Sequence, residues 1–315
     1  HIVILDSGIE KLHPFLTGKV VAEACFSSNG SGTGFTVTSL CPGGATSSMA
    51  IGSAEPCTVL GGECSHGTHI AGIAAGKGVA FSGIAKEAHL ISMQVFSKIQ
   101  DDADPFTPPV CVRVGYSFTE CILAADGDIL AAMDYAWSLR DTYEIAAVNM
   151  SFGNELYTSQ AACDAALPLY KAAVDKLLSA GIAVVSSSGN QGRTDSMNAP
   201  ACISGMISVG ATCDGPYNID ADPEADCNVN TIAPFTNSTA FLSFMAPGVS
   251  IDSADDITDG FTAKSGTSQA TPFVSGAIAA LKSYRPSSTL GQISQALYDS
   301  GVTVSDIGGI FKKIQ

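Results

Sequence analysis

The sequence predicts a single α/β domain with a mostly parallel central β-sheet covered by helices on both faces, three layers in all. Three observations lead there. Six apolar runs read as strands, and they are apolar nearly throughout rather than alternating, as strands buried on both faces are. Helical periodicities fall between several of these runs, as crossovers between parallel strands require. The chain has 315 residues, 46% of them hydrophobic and 14% charged, enough for one large core.

The strand runs are "HIVILD" (1–6), "KVVAEACF" (19–26), "AHLISMQVF" (88–96), "EIAAVNMSFG" (144–153), "GIAVVSSSG" (181–189) and "MISVGAT" (206–212). Helical patterns cover 66–76, 128–139 and 160–180, with two more after 267. In the first of those two, Ala270, Phe273, Val274, Ala277, Ile278 and Leu281 recur at three- and four-residue steps. Thr267 or Ser268 reads as its N-cap, with Pro272 inside the first turns, where a missing N–H costs least. Residues 27–63, 97–119 and 213–230, rich in Ser, Gly, Asp or Pro, read as surface elaborations of one domain spanning 1–315. Open parallel sheets bind ligands beyond the carboxyl ends of their strands, and Asp6, Ser151 and Asn190 fall at such ends.

A net charge of −15, with few and dispersed Lys and Arg, argues against nucleic acid. No run of 18 apolar residues is present, so no membrane-spanning helix is expected. Ten cysteines, mostly in loops, read as a disulfide framework and an oxidising compartment, hence a secreted or periplasmic protein. Sequence does not fix the pairing. Joining near neighbours gives Cys25–Cys41, Cys57–Cys64, Cys111–Cys121 and Cys213–Cys227, leaving Cys163–Cys202. "CSHGTH" brings Cys64, His66 and His69 close together, but without a C-x-x-C pair or a second His/Cys cluster zinc is the weaker reading.

Acyl transfer by a hydroxyl needs a serine beside a base, a carboxylate to orient the base, and donors for the oxyanion. "VILDSGI" places Asp6 at a strand tip. "CSHGTHIAGIAAG" starts a helix near His66. "VVSSSGNQG" puts the Asn190 amide at a turn, and "SGTSQA" sets Ser268 at a helix start. Singly, each has an ordinary alternative: Asp6 and Asn190 as turn residues, His66 as a solvated helix start, Ser268 as a cap. All four in one chain point to chemistry.

The segments "ILDSGI", "SHGTHIAG", "SSGNQG" and "SGTSQATP" resemble the signature blocks of the subtilisin-like serine proteases, the subtilases, and "VNMSFG" resembles that family's substrate-binding strand. The likeness runs from residue 1 to about 285. The order Asp, His, Asn, Ser also excludes an α/β-hydrolase, whose serine comes first in a G-x-S-x-G elbow. The resemblance implies a subtilisin-like fold and a serine endopeptidase with Ser268 as nucleophile, His66 as general base and Asp6 as its orienting carboxylate. Asn190 and the Ser268 amide would hold the oxyanion. It further implies that Ser151, Phe152 and Gly153 border the substrate, with Ala125, Asp126 and Gly127 opposite them. Gly189 would help form the primary pocket and Asn198 would lie near its base. The implied partners are polypeptide substrates and an N-terminal propeptide, with the enzyme a monomer.

Some features depart from the family pattern. Gln269 stands where many subtilases carry Met. The loop "AAGKGVAFSGIAKEA" lacks the Asn-rich insertion that binds calcium in some members, and Asp6 lies almost at the first residue given, where the family usually has a further arm, as expected if processing trimmed it or if the upstream segment is short or absent. The reaction implies no cofactor. A structural calcium, as against a solvated acidic loop, has two candidate clusters: Asp220, Asp222, Glu224 and Asp226, or Asp252, Asp255, Asp256 and Asp259. Neither has EF-hand spacing. Asn29, Asn149 and Asn237 match glycosylation acceptors; Asn149 lies in a core strand, while the other two read as usable in a eukaryotic host. Two other functions fit the same residues: a peptide transferase or macrocyclase using the same acyl-enzyme, and a non-catalytic binding module.

Overall fold

The computed structural model describes all residues except 59–63, 103–108, 114–118, 216, 219–225, 257–258 and 315. The N-terminal half supplies strands β1 (Ile2–Asp6), β2 (Val20–Phe26), β3 (Gly30–Gly32), β4 (Phe35–Ser39), β5 (Ser47–Ser48), β6 (Leu90–Gln94), β7 (Phe96–Asp101), β8 (Glu120–Ala124) and β9 (Ala147–Met150). Between them lie helices α1 (His66–Ala75), α2 (Val110–Arg113) and α3 (Asp126–Ser138). The C-terminal half adds β10 (Asn154–Tyr157), α4 (Gln160–Ala166), α5 (Pro168–Ser179), β11 (Ala183–Ser187), β12 (Met197–Ala199) and β13 (Ile207–Thr212). Then come β14 (Tyr217–Asn218), β15 (Asp226–Cys227), β16 (Phe244–Pro247), β17 (Ile251–Ala254) and β18 (Phe261–Lys264). Helices α6 (Thr267–Tyr284) and α7 (Leu290–Ser300) and the hairpin β19 (Val302–Asp306) and β20 (Gly309–Lys313) complete the chain.

The central sheet has ten strands in the order β19-β20-β16-β13-β11-β9-β1-β6-β2-β5. Its interior pairs are parallel, and only the outermost, β19 with β20 and β2 with β5, are antiparallel. The continuous apolar runs are explained by burial on both faces: β1, β6, β9 and β11 are buried at every residue. Val3 and Leu5 of β1 turn to one face, packing in a core with Ile129 and Met133 of α3 and Val174 and Leu177 of α5. Ile2 and Ile4 turn to the other, with Ile70, Ala71 and Ala74 of α1. On that second face α6 lies across β9, β11, β13 and β16. Its Ala270, Val274 and Ile278 are fully buried, as the periodicity predicts, each larger side chain contributing about 1.5–3 kcal/mol.

The pattern over 160–180 forms two helices rather than one. Pro168 lacks the N–H that would continue α4 and instead opens α5, while Leu167 before it is non-helical (φ −124°, ψ 56°). Parts of the first two elaborations form a second, antiparallel sheet, β3-β4-β7-β8, with β8 at its edge. The five disulfides are Cys25–Cys41, Cys57–Cys64, Cys111–Cys121, Cys163–Cys202 and Cys213–Cys227, the pairs reached by joining near neighbours. Among the described residues, no helix is long and apolar enough to cross a membrane. Asn237 is fully buried, so it is no glycosylation acceptor; Asn29 is exposed.

Candidate active site

Asp6 ends β1 and is 1% exposed. Its Oδ1 accepts from the Ser7 amide at 2.8 Å and from His66 Nδ1–H, also at 2.8 Å. That pairing fixes the His66 tautomer and leaves Nε2 outward. Close approach of α1 to β1 makes it possible: a Cβ on Gly67 would lie 2.2 Å from the Gly8 carbonyl oxygen and 3.1 Å from Asp6 Cβ. Ser7, fully buried, joins the two elements, donating to the Cys64 carbonyl (2.9 Å) and accepting from the Gly67 amide (3.0 Å). One turn on, His69 is buried, which with the nearby Lys264 charge pushes its pKa down to about 4. It is neutral at pH 7, its Nε2–H donating to the Thr262 carbonyl.

Ser268 lies in the first turn of α6, but the helix cap is Gly266, not Thr267 or Ser268. A Cβ on Gly266 would come within 2.9 Å of Gln269 Oε1 and 3.3 Å of Asn190 Nδ2, so the close-packed turn excludes a side chain. Thr267 is thereby free for another task. Its N–H and its hydroxyl both donate to Asn190 Oδ1, at 2.8 and 2.9 Å, and its Oγ1 accepts from the Gly189 amide at 3.1 Å. With the Asn190 oxygen held, its Nδ2 donor is turned to the cleft.

Pro272 lies deeper in α6 than a cost-free position. Its missing N–H would have donated to the Ser268 carbonyl four residues earlier. The Ser151 hydroxyl takes that place, donating to Ser268 O at 2.9 Å. In return Ser268 Oγ donates to the Ser151 carbonyl at 2.8 Å. No hydrogen bond joins Ser268 Oγ to His66 among the described residues, so the hydroxyl rests on the segment that follows β9.

Asp6, His66, Ser151, Phe152, Gly153, Gly189, Asn190, Asn198 and Ser268 all border one cleft of about 410 Å³. Phe152 is both core and wall: half-buried, it packs edge-on against Phe96, centroids 5.7 Å apart. Ala125, Asp126 and Gly127 are not at the cleft. The opposite wall is Ile122 and Leu123 of β8. The strand ends at Ala124 because Asp126 and Asp128 open α3, where acidic groups suit the helix N-terminus, and Asp126 accepts from the Tyr170 hydroxyl. Burial raises the Tyr170 pKa, which keeps that donor protonated. The sequence reading does not reach Ser7, Ile122 or Leu123 and reaches Thr267 only as a cap; the threonine preceding Ser268 in "SGTSQ" is the one available signal.

Among the described residues no three acidic, His or Cys side chains come together to hold a metal. Asp252, Asp255, Asp256 and Asp259 are thus not gathered as such a group, and Asp220, Asp222 and Glu224 lie outside the described residues.

A sequence profile of the subtilase family matches residues 1–308. The chain belongs to that family. Among relatives, this subtilase is 28% identical over 298 residues to an extracellular serine proteinase of a Thermus species, covering 94% of this chain and 54% of the relative. It is 31% identical over 226 residues to the subtilisin-like proteinase Mp1 of Magnaporthiopsis poae, covering 69% and 44%. The chain thus spans about half the length of these relatives. The crystal structure of a cold-adapted subtilisin-like serine proteinase shares the fold, with a TM-score of 0.62 and 19% identity over 99% of this chain and 86% of that one.

Proposed function

We propose that residues 1–315 form the catalytic domain of a secreted, monomeric serine endopeptidase that cleaves peptide bonds through an acyl-enzyme on Ser268. The observation that carries this is the meeting, at one cleft, of a buried Asp6–His66 pair, a serine at a helix start and an amide donor held by its oxygen. The substrate lies extended between β8 and Ser151–Gly153, adding a strand to the sheet edge. Its own N–H groups compete for the Ser151 carbonyl, releasing the Ser268 hydroxyl toward His66 Nε2. His66 takes the hydroxyl proton as Oγ attacks the scissile carbonyl carbon, and Asp6 stabilises the resulting imidazolium. Asn190 Nδ2 and the Ser268 amide receive the developing oxyanion. The proton passes to the leaving amine, and water, activated by the same imidazole, releases the acid. No metal takes a part in these steps.

Five disulfides, and relatives named as extracellular proteases in Thermus and Bacillus subtilis, support secretion. An N-terminal propeptide is part of the same proposal.

Intact-mass spectrometry after a fluorophosphonate probe tests it. One adduct is expected on the wild type and none on Ser268→Ala. No adduct on folded wild-type protein would favour a binding module instead. Product masses separate the remaining alternative, since hydrolysis adds one water per bond whereas transfer to an amine or cyclisation does not.

A further inference from the structure

Behind the cleft, outside the catalytic constellation, lie groups whose hydrogen-bonding roles cannot be exchanged. Asn237 is fully buried behind the Asn190 loop. One end of its amide faces the backbone N–H groups of Gln191 and Arg193, at 3.1 and 3.0 Å. Backbone N–H groups only donate, so that end is the oxygen. The other end faces the Ser188 carbonyl at 3.2 Å, which only accepts, so it is Nδ2. The orientation of Asn237 therefore follows from main-chain polarity alone.

That orientation dictates two more. Asn237 Nδ2 also faces the side-chain amides of Asn198 (2.9 Å) and Gln191 (2.6 Å); its two N–H groups are shared among these and the Ser188 carbonyl, and each amide meets a nitrogen that only donates with its oxygen rather than with a second donor. Both oxygens are thereby turned away from the cleft that Gln191 and Asn198 line. Asn198 Nδ2 has no protein acceptor among the described residues, and it is not an enclosed atom. Asn198 also lies between the two glycine walls: a Cβ on Gly189 would be 2.5 Å from its Oδ1, and one on Gly153 would be 3.1 Å from its Cβ. The floor between those walls is thus an N–H donor. Among the described residues no Lys or Arg lines the cleft, and the one acid that does, Asp6, is committed to His66.

From this we infer that the enzyme selects, before the scissile bond, a side chain ending in an uncharged hydrogen-bond acceptor, with glutamine the representative residue. The inference rests on the endopeptidase reading above. An apolar side chain at this position buries the Asn198 N–H groups without a partner. Lysine meets a donor with a donor. Glutamate brings an acceptor but leaves its charge uncompensated as water departs, so it follows glutamine.

The test uses fluorogenic peptides identical except for Gln, Glu, Leu or Lys before the cleaved bond, with active enzyme counted by fluorophosphonate titration. For the wild type, kcat/KM for Gln should exceed those for Leu and Lys by about tenfold, the effect of one neutral hydrogen bond. Asn198→Asp keeps an oxygen for Asn237 Nδ2 and replaces the pocket donor by a carboxylate oxygen. Its Lys-to-Gln ratio should rise at least about tenfold. Asn237→Asp presents an oxygen to Asn198, turns that amide over, and should move the same ratio in the same direction. A ratio taken within one enzyme is insensitive to the folded fraction, so poor folding of either variant does not mask the result. Leu or Lys leading in the wild type, or an unchanged ratio in Asn198→Asp, would overturn the inference while leaving the endopeptidase reading intact. Failure to cleave any peptide would overturn both.

Discussion

Pro272 and Ser151 make a coupled pair, and a double-mutant cycle measures the coupling. The proline removes the helical donor to the Ser268 carbonyl, and the Ser151 hydroxyl, 2% exposed, supplies the substitute. Ser151→Ala leaves that carbonyl without a donor and also deprives Asn149 Nδ2 of its acceptor. An unsatisfied buried group costs about 1–3 kcal/mol, so the single variant should lose about 2–3 kcal/mol. At the usual unfolding entropy per residue, a chain of this length should then melt about 3–4 °C lower. With Pro272→Ala the helix regains its N–H, and Ser151→Ala should then cost only the Asn149 part, about 1 kcal/mol. The coupling energy is therefore about 1.5 kcal/mol. The assay is thermal or denaturant unfolding with disulfides intact, in a Ser268→Ala background to prevent self-cleavage; the lost Ser268 hydroxyl is common to all four proteins and cancels. Additivity within about 0.5 kcal/mol would show that the Ser268 carbonyl does not depend on the serine, and would refute the reasoning.

Thr267→Val removes the hydroxyl that holds Asn190 Oδ1 while nearly keeping volume; kcat should fall about tenfold with KM changed less than twofold, and Thr267→Ser should recover most of it. Steady-state kinetics on one peptide decide, and a change confined to KM would count against a role in orienting the oxyanion donor. Gln269, buried beside the nucleophile, has no oxidisable sulfur, so the wild type should survive peroxide longer than Gln269→Met; equal inactivation rates would refute this. His69 titrates near 4 when folded and near 6.5 when unfolded, so the unfolded state takes up the proton first as pH falls. Its contribution is whole above pH 6.5 and is lost progressively down to about pH 4, amounting to about 3 kcal/mol at most. The difference in stability between wild type and His69→Gln should change over that window, and a constant difference would exclude the assignment.

The parts of this molecule legible in its sequence are those whose physics is local. Strand β1 could be read from five buried residues ending in an aspartate, and α6 from its apolar spacing. Asp6, His66, Asn190 and Ser268 each sit at the end of such an element, so reading the element located the residue. The misreadings arose where a neighbouring signal competed. The run "DGDILAAMDYAW" carries acidic residues that start a helix, and this moved the cleft wall back to Ile122 and Leu123. Thr267 resembled a cap because its preference for helix starts is the same whether its hydroxyl serves its own helix or the Asn190 amide. Asn237 resembled a surface sugar acceptor because burial between two loops far apart in sequence leaves no local mark.

The order in which the sheet is threaded has a consequence for when the cleft can be assembled. Strand β1, which carries Asp6, ends in the middle of the sheet between β6 and β9, and α6, which carries Ser268, rests on strands laid down in between. Ser268 bonds to a partner 117 positions away. Such non-local pairing is slow to form, since long loops must close before contacts reward them. A nascent chain therefore holds Asp6 and His66 long before Ser268 has been made. The cleft therefore closes only once α6 has packed across β9, β11, β13 and β16, so its two sides are joined by the last of these contacts rather than the first.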